Sequence, residues 1–163
     1  MKTNWEKTLH VEEIRIASVK MTEESLITDD KLELGRVIEL NLTREDGLII
    51  ERQYDTRRKY VVIIGVDGDR YLYASVLINH KSNNLTKELA ETQYPISQKD
   101  YNSFLDSNST IDCSTIFLID RVRIKRDGKN LGIINSTDLR NVLKTMAETE
   151  LIEPKIKKRY GLI

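Results

Sequence analysis

Residues Arg57 to His80 read RRKYVVIIGVDGDRYLYASVLINH. Two apolar runs flank a turn, and no other stretch limits the folds open to this chain so strongly. The first run, Tyr60 to Ile64, is nearly all β-branched, which suits a pleated, buried surface. The second, Tyr71 to Ile78, is rich in Tyr, Val, Ile and Leu. Between them lies Val66-Asp67-Gly68-Asp69. Asp-Gly between apolar runs signals a hairpin, because the turn needs positive φ and Gly supplies it without steric cost. The spacing predicts a central antiparallel hairpin.

The rest of the chain must be consistent with that hairpin. At 163 residues it is long enough for one domain with a sizeable core. No apolar run approaches the roughly 20 residues of a membrane helix. The stretch MKTNWEKTLHVEE lacks the apolar centre of a signal peptide. Cys113 is the single cysteine, which excludes an intrachain disulfide and a cysteine-built metal site. The expectation is a cytoplasmic protein with no membrane partner, no metal and no cofactor. Net charge is zero, but residues 121–163 carry 11 Lys or Arg against 5 Asp or Glu. A basic C-terminal third can contact phosphates, or can simply be a solvated face.

Residues 1–30 fit neither helical nor strand period. A short strand around Ile14 and Ile16 and a short helix after Thr22 are the expectations there. Leu32 to Leu42 alternates as a strand. A loop follows to Gly47, and Leu48-Ile49-Ile50 reads as a short strand or one arm of a loop. Glu51 to Lys59 is a charged run leading into the hairpin. After His80 the chain is too polar for a buried element until Gln93 to Ile96, a short strand at a sheet edge, where Pro95 is tolerated. Ser97 caps a short helix carrying Tyr101, Phe104 and Leu105 on one face. Ser114 to Ile124 reads as a strand, Asp127-Gly128 as a second hairpin turn, and Asn130 to Ile134 as its return. A helix follows, N-capped by Ser136, with Leu139, Val142, Leu143 and Met146 at i, i+3, i+4, i+7. Lys155 to Arg159 is a basic tail. The lack of β-α-β alternation argues against a doubly wound parallel sheet. The expected class is α+β, mainly β: a small, strongly bent antiparallel sheet or barrel with helices at its ends.

No phosphate loop, G-x-G-x-x-G, H-E-x-x-H or G-x-S-x-G is present. Arg57-Arg58-Lys59 is the cluster with most chemical content. It stands just before a buried strand, where a guanidinium can hold a phosphate and stabilise charge in phosphoryl transfer. The same charges also serve as gatekeepers beside an aggregation-prone strand. His80 closes the other hairpin strand, a position open to a surface role or a proton-transfer role. Cys113 reads as a small packing residue.

The order of these features resembles the MazF/PemK family of toxin ribonucleases. Gly35 to Leu42 resembles the family's opening strand. Arg58-Lys59-Tyr60-Val61-Val62-Ile63 resembles its second strand, which opens on Arg-Pro. Ser75 to Asn79 resembles its third, which ends in Thr or Ser. Leu131 to Leu139 resembles its late Ile-Gly strand, polar cap and C-terminal helix. The resemblance spans roughly residues 34–150 and implies an SH3-like, strongly bent β-barrel with a C-terminal helix. It divides the chain into an N-terminal extension (1–33), a MazF/PemK-like barrel (34–153) and a basic tail (154–163). It further implies a bacterial toxin–antitoxin setting, a homodimer, an antitoxin protein as partner, and metal-free cleavage of single-stranded RNA. Arg58, Asn79 and His80 would be catalytic, and Arg57, Lys59 and Lys81 would bind RNA. Lys59 stands where the family has Pro, Asn79 where it has a hydroxyl, and the family's loop before the Arg is not recognisable in Glu45 to Thr56. A non-catalytic SH3-like interaction module, binding protein or nucleic acid, is the alternative. A shift of one residue, Arg57 for Arg58, would put the key side chain on the other face.

Overall fold

Six antiparallel strands carry the fold: β1 (Arg36–Thr43), β2 (Thr56–Val66), β3 (Leu72–His80), β4 (Gln93–Ile96), β5 (Ser109–Asp120) and β6 (Lys129–Ile133). Among the described residues, the α-helices α1 (Lys87–Glu91), α2 (Arg121–Asp127), α3 (Ser136–Glu148) and α4 (Pro154–Arg159) accompany them. The computed structural model describes residues 27, 28, 32–67 and 71–163. The elements expected within residues 1–26, and the Gly68-Asp69 tip of the hairpin, lie outside the described residues. No described helix is long and apolar enough to cross a membrane.

The sheet order is β4-β5-β3-β2-β1-β6. The hairpin formed by β2 and β3 lies at its centre, with Tyr60 opposite Ile78 and Val62 opposite Val76. Both sheet faces are buried, which is why Tyr60 to Ile64 is continuous and not alternating. On one face Val62, Ile64, Val76 and Ile78 pack with Phe104, Val142 and Met146. On the other, Val61, Ile63 and Leu77 pack with Leu40, Ile119 and Ile124. Register shifts in the β1–β6, β2–β3 and β3–β5 ladders bend the sheet locally. Among the described residues the sheet remains open, with β4 and β6 as its edges, and they form no closed barrel.

Several boundaries differ from those read in the sequence. The charged run ahead of the hairpin is not all loop: Thr56 to Lys59 already pair with β1. Leu48 to Ile50 forms no strand. Arg44 holds this loop instead, its Nη2 donating to the carbonyls of Ile50, Glu51 and Tyr54 at 3.1, 2.8 and 2.8 Å. Residues 98–104 form successive turns and no helix, although Ser97 Oγ accepts the Asp100 amide at 3.1 Å as a cap would. The strand expected over Ser114 to Ile124 starts five residues earlier and stops at Asp120, whose side chain accepts the Val122 amide and opens α2. Asp127-Gly128 ends that helix and makes no hairpin, and β6 pairs with β1. Asn135, one residue before Ser136, is the N-cap of α3: its Oδ1 accepts the Asp138 amide at 2.7 Å.

The basic stretch Lys155 to Arg159 belongs to α4. Lys157 is buried, and its Nζ donates to the carbonyls of Ala147 and Thr149 at the C-terminal end of α3. Tyr160 lies against Gly65 of β2, where a Cβ would meet the tyrosine side chain at 3.2 Å.

Candidate nucleic-acid interface

Strand periodicity sorts the basic residues. Tyr60 faces Ile78, so Lys59 and Asn79 are the next pair out, and the Lys59 amine donates to Asn79 Oδ1. Arg57 and Lys59 continue the face of Val61 and Ile63, and Asn79 that of Leu77. Arg58 and His80 continue the opposite face, that of Val62 and Ile78. The six residues predicted from sequence therefore gather at one end of the sheet, but look into two adjoining clefts.

The smaller cleft, about 180 Å³, is lined by the strand ends Arg57 to Tyr60 and Ile78 to His80 and by Leu105 to Ser107 and Ser109. Arg58 is two-thirds exposed (68%), and its Nη1 stands 3.7 Å from Glu39 Oε1. That is a loose ion pair in water, which leaves most of the guanidinium available. Ser107 Oγ lies 3.4 Å from His80 Nδ1. The wall is braced from behind. Tyr94 donates to Asp138 Oδ1 at 2.6 Å, Tyr101 donates to Asp138 Oδ2, and the Asn135 amide donates to the Tyr101 hydroxyl at 3.0 Å. Burial, then the bond to Asp138, pushes the Tyr101 hydroxyl well above its ordinary pKa. Phe104 next to it meets the Tyr60 ring edge-on, 6.2 Å between centroids.

The larger cleft, about 610 Å³, takes Arg57, Lys59, Asn79 and Lys81 along one side. Leu85, Leu89 and Ala90 come from the α1 side, and Gln93, Pro95, Thr110 and Asp112 from β4 and β5. Arg57, Lys59, Asn79 and His80 line both clefts. Burial lowers the Lys59 pKa, the nearby charge of Arg57 lowers it further, and Asp112 opposes both. Lys59 is thus a half-buried cation whose direct partner is a neutral amide. A dianionic or monoanionic phosphate would relieve the repulsion between Lys59 and Arg57.

Sequence reasoning named the cations and missed the opposite wall. A polar stretch with too few apolar residues for a core hides α1, which has no buried residue and is capped by Thr86 through the Leu89 amide. The signals for Gln93, Thr110 and Asp112 were present. They alternate on β4 and β5, and Thr110 pairs with Asn79.

Cys113 is buried, and burial raises its thiol to about 12, so it packs and does not react. Among the described residues no three His, Cys, Asp or Glu side chains group as a metal site.

No family model matches the chain, and no curated protein matches it. Among solved structures it is similar to a chain in the crystal structure of MazE-MazF (form III) from Deinococcus radiodurans. The identity is 12% and the TM-score 0.49, over 71% of this chain and 92% of that one.

Proposed function

We propose that the open ends of β2 and β3 bind single-stranded RNA and cleave it without a metal ion. The observation that carries this reading is the convergence of Arg57, Arg58, Lys59, Asn79, His80 and Lys81 on two clefts that share a rim. The phosphate backbone is the natural partner of such a cluster, and the two clefts can follow it from one nucleotide to the next. In the smaller cleft Arg58 supplies the charge that stabilises a pentacoordinate phosphate. The ribose 2′-OH attacks the adjacent phosphorus, the 5′-oxygen leaves, and the products are a 2′,3′-cyclic phosphate and a 5′-hydroxyl. His80 exchanges the protons. The MazF/PemK resemblance of residues 34–150 supports the same chemistry. It also supports a bacterial toxin–antitoxin role in the cytoplasm, a homodimer and an antitoxin partner.

The test is cleavage of a long single-stranded RNA in EDTA. Wild type should give discrete cuts with 2′,3′-cyclic ends, and Arg58→Ala should lose about 10²-fold or more in rate. A preparation in which both proteins cut equally refutes the assignment of Arg58.

One observation favours a second reading, an RNA- or protein-binding module without chemistry. Asn79 stands where the resemblance expects a hydroxyl, and its side-chain oxygen already accepts from Lys59. An amide there is no proton-transfer group. Tight RNA binding with no cuts by either protein would establish the module.

A further inference from the structure

The larger cleft carries cations and apolar side chains, and one part of it is a polar cluster whose members hydrogen-bond one another. Asp112 Oδ1 accepts from Gln93 Nε2 at 3.0 Å, from the Ser114 amide at 3.0 Å and from Ser114 Oγ at 2.5 Å. Thr110 Oγ1 donates to Gln93 Oε1 at 3.3 Å. These bonds occupy the Thr110 hydroxyl and one N–H of the Gln93 amide. They leave Asp112 Oδ2 with no hydrogen bond among the described residues. The same cleft is lined by Arg57, Lys59 and Lys81 and by Leu85, Leu89 and Pro95. A phosphate fits the cations, a flat apolar ring the apolar side chains, and a hydrogen-bond donor on that ring the polar cluster.

We propose that this cleft is a base-reading subsite. It takes one nucleotide of a single-stranded RNA with the phosphate on Arg57 and Lys59, the base on the Leu85–Leu89–Pro95 floor, and an exocyclic amino group donating to Asp112. This rests on the RNA-binding reading above and adds the class of nucleotide to it. Uracil presents carbonyl oxygens where cytosine presents an amino group, so it would aim acceptors at a carboxylate. The subsite prefers cytidine over uridine, and amino-bearing bases in general. It lies on the sheet face opposite Arg58, so the nucleotide read is a neighbour of the one whose phosphate Arg58 touches.

The experiment measures binding and not cleavage. Fluorescence anisotropy of labelled 2′-O-methyl hexamers, all-cytidine and all-uridine, removes the attacking hydroxyl and any turnover. Wild type should hold the cytidine hexamer about tenfold more tightly, the effect of one good polar base contact. Asp112→Asn keeps Oδ1 and so the bonds from Gln93 and Ser114, and should abolish or invert the preference, because its amide donates. Leu85→Glu changes an exposed residue at no expense to folding. It should weaken both hexamers by setting a carboxylate beside the phosphate site. Equal affinities for the two hexamers in wild type overturn the inference while leaving RNA binding standing. So does a cytidine preference that survives Asp112→Asn, or a Leu85→Glu protein that binds as wild type. Failure of wild type to bind either hexamer overturns this inference and the RNA reading together.

Discussion

Arg123 and Arg58 stand on either side of one residue of β1 and are used in opposite ways. Arg123, from α2, donates through Nη2 to the Asn41 carbonyl and to Asp46 Oδ2, both at 2.7 Å, and through Nη1 to Asp46 Oδ1. Asp46 also accepts the Thr43 amide at 2.7 Å. Arg58 pairs with Asn41 across the β1–β2 ladder, yet its ion-pair partner among the described residues, Glu39, stays 3.7 Å away. The side chain of Arg123 is 23% exposed and that of Arg58 is 68% exposed. A guanidinium whose donors are matched by a carboxylate and a carbonyl has finished its bonding within the fold. One whose donors face water, next to two further cations, is bonded only when an anion arrives. The comparison separates charge that builds the sheet from charge that the sheet displays, although both types read alike in sequence.

The sharpest test of that separation is to remove the finished pair. Arg123→Ala leaves the largely buried Asp46 carboxylate without its guanidinium and should destabilise the fold by about 2–3 kcal/mol. Urea unfolding measures this. RNA affinity per folded molecule should stay within twofold of wild type. If Arg123→Ala instead abolished RNA binding while leaving the unfolding midpoint unmoved, the two roles would have been assigned the wrong way round.

Acid should single out the same pair. The hydrogen bond from Arg123, the largest cause, holds the Asp46 carboxyl below its ordinary value of 3.8. A carboxyl depressed in the folded state contributes stability above its unfolded value, and that contribution is lost as pH falls through the folded value. Wild-type stability should therefore decline below about pH 4. Asp46→Asn should start lower and decline less steeply over the same window. Parallel slopes for the two proteins, followed by thermal unfolding at a series of pH values, would remove Asp46 from the account.

How much of this was legible beforehand follows from which signals are local. The central hairpin was readable because β-branched runs and Asp-Gly act over a few residues. The edge strand with Pro95 and the apolar stripe of α3 were readable for the same reason. The turn from β5 into α2 was not, because Val122 and Ile124 continue the strand's alternation into the helix. Only the Asp120 cap, a single side-chain bond to the Val122 amide, marks the change. The openness of the sheet was not legible either, since it depends on whether β4 and β6 meet, and no local residue states that. At the site, the cations were found by composition and their two-faced division by period two. The wall made by α1, Gln93, Thr110 and Asp112 needed the pairing of β5 with β3 and β4, which sets Thr110 beside Asn79 and Asp112 beside Gln93 across long stretches of chain.

Lys59 gives the smallest effect and the most discriminating one. Its amine is half-buried beside Arg57, and burial is the leading cause of its lowered pKa. A lysine with a depressed folded pKa is disfavoured in its charged form by the fold, so at neutral pH Lys59 works against stability. Lys59→Met keeps the length of the apolar stem and removes the charge. The half-buried Asn79 amide loses one donor and can turn to water. The folded state should gain slightly in stability, read as a melting temperature raised by about 1–2 °C. RNA affinity should fall several-fold in the same protein, with a shallower salt dependence, because one phosphate contact is gone. Gain in one measurement and loss in the other is the signature of a residue retained for a ligand and not for the fold. A Lys59→Met protein that lost stability would instead place Lys59 with Arg123, among the charges that the sheet needs for itself.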